Sequence, residues 1–334
     1  MKAASSMSAA LSPLLCLGLL LGAVGCSSEG PGVLSGEPSL PAIGPTLSVP
    51  QAQLAAALSC TPDLATAARD PVLITPAFST AQESFSGYLA QLPALGIPTC
   101  SLSLPDNGFD DLQNAAEYVV YAVREMAAIS DRKVILFGHQ HGPLDQLWAL
   151  MFWPDLPGKV SSLISLATPY QGTVAATAVC ETGRRCSPAV WQIRGGSQFL
   201  VALNARPLPP GLAVTAITTL YDEVIIPQPE AGRREGAANI VLQDLCPGRM
   251  VEHFLILSDN LAYALVLDAI NHPGEVSNPA NLPADICSGP RSMPTPAGAQ
   301  GSATPQLNGF LTQFPLNNVL EGVSAEPALR DYVQ

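Results

Sequence analysis

Pro71-Val72-Leu73-Ile74-Thr75-Pro76 is a short apolar run closed by prolines, the pattern of a strand buried on both faces. A helical pattern follows over residues 83–95, and a second strand is predicted over 97–102. Phe109, Leu112, Ala116, Val119, Val120, Val123 and Ala127 then recur at spacings of three and four. Those spacings draw one apolar stripe along a helix, with Asp110, Asp111, Glu117 and Glu125 off it. Residues 133–138 form a third strand, with a helix over 144–153 directly behind it. The runs 160–166 and 212–220 continue the series. Strands alternating with helices predict an α/β protein, a mostly parallel central sheet flanked by helices on both faces. No internal repeat interrupts this order.

Composition narrows the picture. The chain has 334 residues, 48% of them hydrophobic and only 13% charged, with 15 Lys+Arg against 27 Asp+Glu. So apolar a chain can bury a sizeable core, which argues against disorder. A net charge of −12 supplies no basic stripe for phosphates, so no nucleic-acid partner is expected. The 32 Pro fall mainly between periodic segments, as turn punctuation.

The first residues read as an address. Lys2 precedes an apolar run over 14–25, too short to cross a bilayer and suited to a signal peptide. It ends Ala23-Val24-Gly25-Cys26, which resembles a bacterial lipobox. That resemblance implies cleavage before Cys26, lipid attachment to it, and a chain exported and held at a membrane, the outer one in a Gram-negative cell. An ordinary secretory signal with release of the chain is the alternative. Residues 26–50 are rich in Ser, Gly and Pro and read as a tether. The expected organisation is signal 1–25, tether 26–50 and a single folded domain over 51–334.

Six cysteines lie beyond Cys26: Cys60, Cys100, Cys180, Cys186, Cys246 and Cys287. An even number in an exported chain favours disulfides, with 15 connectivities open. No Cys-x-x-Cys pair supports zinc. His139, His141 and His253 raise a metal question, but neighbouring side chains in a tight turn point apart, and no metal or other cofactor is expected. His272, Arg184-Arg185 and Arg233-Arg234 read as solvated loop residues. Trp148, Phe152 and Trp153 read as core.

The stretch that carries chemistry is strand, Gly138-His139-Gln140-His141-Gly142, helix. Small residues two before and two after a central position permit the strained strand-to-helix turn of a nucleophile elbow. A serine hydrolase would place Ser at the centre. Gln140 stands there, and no Gly-x-Ser-x-Gly occurs in the chain.

Several segments resemble the lipase-B branch of the α/β-hydrolases, the group of the yeast Candida-type lipase B and bacterial relatives. They are Phe152-Trp153-Pro154, Ser165-Leu166-Ala167-Thr168-Pro169-Tyr170-Gln171-Gly172-Thr173, Pro188-Ala189-Val190-Trp191-Gln192, Gly196-Ser197 with Ala202-Leu203-Asn204, Tyr221-Asp222-Glu223-Val224-Ile225-Ile226-Pro227-Gln228-Pro229, Leu245-Cys246 and Glu252-His253. The resemblance runs from about residue 58 to 287 and implies an α/β-hydrolase fold. It implies disulfides Cys60–Cys100 and Cys246–Cys287, leaving Cys180 and Cys186 to pair locally.

In that family the triad runs Ser, Asp, His along the chain. The resemblance assigns the acid to Asp222, the base to His253 and the nucleophile position to Gln140. A carboxamide offers His253 no proton on a nucleophilic atom. A chain of contacts Asp222–His253–Gln140 is nonetheless expected. The oxyanion region departs as well. Relatives carry a Gly-Thr-Gly-like run where this chain has Pro76-Ala77-Phe78-Ser79-Thr80, bringing the bulky Phe78; the second donor would be the backbone N–H of His141. The expected function is therefore that of a disarmed lipase-like protein that keeps a pocket for an apolar or acyl ligand. Hydrolysis by other chemistry, with Gln140 positioning water for His253, is one alternative; a surface scaffold is the other.

Overall fold

A computed structural model describes residues 43–78, 80–183, 185–295 and 322–333. The signal segment and Cys26 lie outside the described residues. The elements in chain order are α1 (Gln51–Ala57), β1 (Leu58–Cys60), β2 (Val72–Thr75), α2 (Ala81–Ser84), α3 (Ser86–Ala94), β3 (Thr99–Leu102), α4 (Leu112–Ser130), β4 (Val134–His139) and α5 (Gly142–Phe152). There follow β5 (Val160–Leu166), α6 (Val174–Gly183), α7 (Pro188–Gln192), α8 (Gln198–Asn204), β6 (Ala213–Thr218), β7 (Ala238–Val241), α9 (Leu242–Leu245) and α10 (Asn260–Asn271).

The seven strands form one sheet in the order β1-β3-β2-β4-β5-β6-β7. All neighbours are parallel except β1, which runs antiparallel to β3 at the edge. Side chains alternate across a strand, and here both sides are buried. Leu73, Leu136 and Leu163 enter the core beneath α4, α5 and α8. Ile74, Ile135, Phe137 and Ile164 enter the opposite core beneath α3 and α10. A strand covered twice reads as an unbroken apolar run, and that is how β4 appears in the sequence.

The predicted strands and helices are present, with adjusted ends. Strand β3 begins at Thr99 because Pro98 has no N–H for the ladder. The helix expected over 83–95 is divided at Phe85 into α2 and α3. Asp111 caps α4 by accepting from the Gln113 N–H, and Asp131 closes that helix at φ 52°.

The tether gives way to the body before residue 50. Ser48 and Val49 donate their backbone N–H groups to Glu117 Oε2 at 2.6 and 2.8 Å, and Ser48 Oγ donates to Oε1 at 2.7 Å. The Trp153 indole N–H donates to Pro45 O at 2.8 Å. Glu117, which the helical pattern leaves off the apolar stripe, is consequently buried. At the other end, Glu326 accepts from the first amides of α8, and the Trp148 indole donates to the Tyr332 hydroxyl. Trp148 stacks on Phe199 in the core, as its reading required.

The disulfides Cys60–Cys100, Cys180–Cys186 and Cys246–Cys287 are all formed. One residue expected in solvent is not there: Arg234 is buried, donating to Asn204 Oδ1 and Arg206 O. His272 is exposed as expected, and pairs with Asp268 one helical turn earlier.

Candidate functional site

Strand β4 hands directly to α5 through a turn centred on Gln140, whose φ is 54°. A non-glycine residue there costs about 1–3 kcal/mol and persists only where its surroundings enforce it. The enforcement is visible at the two glycines. A Cβ on Gly138 would lie 2.9 Å from Pro143 Cδ, and one on Gly142 would collide with the Thr75 carbonyl oxygen. The turn therefore packs tightly between β2 and α5, and the Gln140 N–H donates to Leu166 O at 2.9 Å.

Asp222 lies on the loop after β6. Its Oδ1 accepts from the Val224 and Ile225 amides at 2.9 and 2.7 Å, leaving Oδ2 for His253 Nδ1 at 2.9 Å. The loop of His253 is held to the loop of Asp222 by the Thr219 hydroxyl, which donates to Val251 O at 2.7 Å. With Nδ1–H given to a carboxylate, His253 Nε2 is the acceptor nitrogen. It is buried and has no hydrogen-bond partner among the described residues.

Asp222 and His253 thus meet as expected. Gln140 does not complete the chain of contacts: its carboxamide makes no hydrogen bond among the described residues and lines a cavity instead. His139 packs under the pair, its ring 4.6 Å from that of His253 and its Nε2 3.0 Å from His253 O. Burial, reinforced by the His253 ring, pushes the His139 pKa well below its ordinary value. A neutral Nε2–H donating to that carbonyl follows.

The Phe78 ring stacks on Phe109 at 4.5 Å and meets the His141 ring edge-on at 4.6 Å. His141 points away from the cavity into the protein, where its Nδ1 lies 3.4 Å from Asp145 Oδ2 without hydrogen-bond alignment. Burial, opposed by His141, pushes the Asp145 carboxyl up to about 6. The His141 backbone N–H sits at the start of α5, where amides lack intrahelical partners.

The cavity beside Gln140 measures about 230 Å³. Phe78 forms one wall, Val179 of α6 and Val190 of α7 another, and Glu223 stands among the polar lining residues. The family-like segment 188–192 contributes Val190, but the pattern assigned no role to Glu223. Its adjacency to Asp222 was the available signal. The i, i+4 spacing of His141 and Asp145 on α5 was the signal for their pairing.

No protein-family model matches the chain. It is similar to lipase B of Pseudozyma antarctica, 28% identical over 236 residues that cover 68% of this chain and 69% of that one. The structure resembles lipase B of Aspergillus fumigatus with a TM-score of 0.75 at 23% identity, covering 90% of this chain and 76% of that one. A lipase of Bacillus licheniformis in its propeptide form gives 0.51 at 18% identity, covering 67% and 56% respectively. The structural likenesses establish the α/β-hydrolase fold, and the sequence similarity is to a lipase B.

Proposed function

We propose that this chain is an exported, lipid-anchored protein of the lipase-B type that holds an apolar acyl ligand and has lost serine hydrolysis. The observation that carries the reading is Gln140 at the apex of the elbow, at φ 54° and facing the cavity. That apex is where the superfamily presents its nucleophile. A carboxamide nitrogen shares its lone pair with the carbonyl, so it neither attacks an ester nor yields a proton to His253. The oxyanion side is weakened too, because the bulky Phe78 ring, stacked on Phe109, stands in the loop where a backbone donor is needed and lines the cavity.

The rest of the machinery is retained. Asp222 orients His253 through Nδ1, and Nε2 has no hydrogen-bond partner among the described residues. The cavity remains open beneath apolar walls. At about 230 Å³ it falls below the range of about 300–1,000 Å³ typical of sites for drug-sized ligands, which favours a short acyl group.

The test is an assay of wild type beside Gln140→Ser. Wild type is expected to bind p-nitrophenyl butyrate in equilibrium titration without releasing nitrophenolate. Gln140→Ser should gain turnover of about 10²-fold or more, short of the roughly 10⁶-fold a nucleophile carries in an intact triad because the oxyanion side is weakened. Robust wild-type turnover that disappears in His253→Ala would overturn the proposal in favour of water activation by His253.

A further inference from the structure

The cavity beside Gln140 is unevenly polar. Gln140 is 3% exposed, and its carboxamide has no hydrogen-bond partner among the described residues although it offers both a donor and an acceptor. The Thr173 hydroxyl is already engaged, donating to Val224 O at 2.6 Å and accepting from the Ile226 amide at 3.1 Å. Glu223 alone among the described lining residues ionises, and no Lys or Arg stands beside it there. Its Oε2 accepts from the backbone N–H of His253 at 3.2 Å. Glu252 lies next to it, its carboxyl held above the ordinary value by burial and then by Glu223. The nearby imidazole of His253 gives its Nδ1–H to Asp222 Oδ2.

Resting on the ligand-holding reading of this site, we infer that Glu223 selects what enters: the cavity takes an uncharged acyl compound, an amide or ester, and turns away the free fatty-acid anion. The Gln140 carboxamide supplies the complementary donor and acceptor for an acyl carbonyl and an amide N–H. A carboxylate of the same length would face Glu223 with no cation among the described lining residues to balance it. Glu223 is exposed toward solvent, so water and salt reduce the repulsion. The expected discrimination is accordingly modest, about fivefold, the size of an exposed charge pair.

Hexanamide and hexanoate share one apolar body and differ in charge. Isothermal titration at pH 8 in low salt should give at least about fivefold tighter binding of hexanamide by the full chain. Glu223→Gln should bring the two affinities together, mainly by improving hexanoate, while hexanamide binding shows that the variant is folded. Added salt should narrow the wild-type gap in the same direction. Equal wild-type affinities, or a gap that survives Glu223→Gln, would overturn the inference while leaving the ligand-holding reading intact. Binding of neither compound would overturn that reading and the inference with it.

Discussion

Asp145 stands in the first turn of α5 with both carboxylate oxygens buried and without hydrogen bonds. A helix N-terminus favours a negative charge by about 0.3–1 kcal/mol, less than burial costs it, and the carboxyl accordingly titrates at about 6 instead of its ordinary 3.8. The folded state holds this proton more tightly than the unfolded chain does. The contribution to stability therefore falls as pH rises from about 4 to about 6 and stays low above that. A shift of that size corresponds to at most about 3 kcal/mol. Asp145→Asn is expected to raise the thermal midpoint at pH 8 and to lose its advantage by pH 4; melting curves at the two pH values decide it, and an advantage independent of pH would count against the account. At this scale the sequence was legible where chemistry repeats a family pattern, as at Asp222 and His253. It was opaque where a side chain's partner comes from a distant segment. The sequence could place Gln140 at the apex, but not show that its carboxamide leaves His253 and lines the cavity.

Helix α4 illustrates the same limit one level up. Its apolar stripe is readable from spacing alone, and it runs where the pattern puts it. Glu117, however, is occupied by Ser48 and Val49, whose positions lie 69 and 68 residues earlier. No local pattern encodes that contact. Glu117→Ala leaves two backbone amides without their carboxylate, at about 1–3 kcal/mol. The gain from alanine's helix propensity stays within about 0.7 kcal/mol, so destabilisation wins. Urea unfolding should show a lower midpoint with an unchanged slope; an unchanged midpoint would mean that water replaces the carboxylate at no cost. The walls of the cavity were the least legible elements. Helix α7 spans five residues and α6 ten, too few turns for periodicity to separate from ordinary loop sequence. Strands β2 and β4 were legible for the opposite reason, since burial on both faces turns each into an apolar run.

Across the whole molecule, the alternation of strands and helices was enough to anticipate a mostly parallel sheet. The antiparallel edge strand β1 was not, because three residues carry no pattern. The disulfides followed from resemblance, and they bear on the anchor. Cys60–Cys100, Cys180–Cys186 and Cys246–Cys287 use every cysteine downstream of Cys26. Cys26 therefore has no downstream thiol left to pair with, which agrees with its proposed use as the lipid attachment point. One acyl chain gives only reversible membrane binding, whereas two chains hold a protein stably. Cys26→Ser is thus expected to move the chain from the membrane fraction to the soluble fraction. The body, which Ile43 already joins through its carbonyl to Arg124, should keep its thermal midpoint and its binding of p-nitrophenyl butyrate. Membrane sedimentation that persists in Cys26→Ser, with no lipid found on wild-type Cys26 by mass spectrometry, would assign the chain a mode of membrane attachment other than a lipid on Cys26.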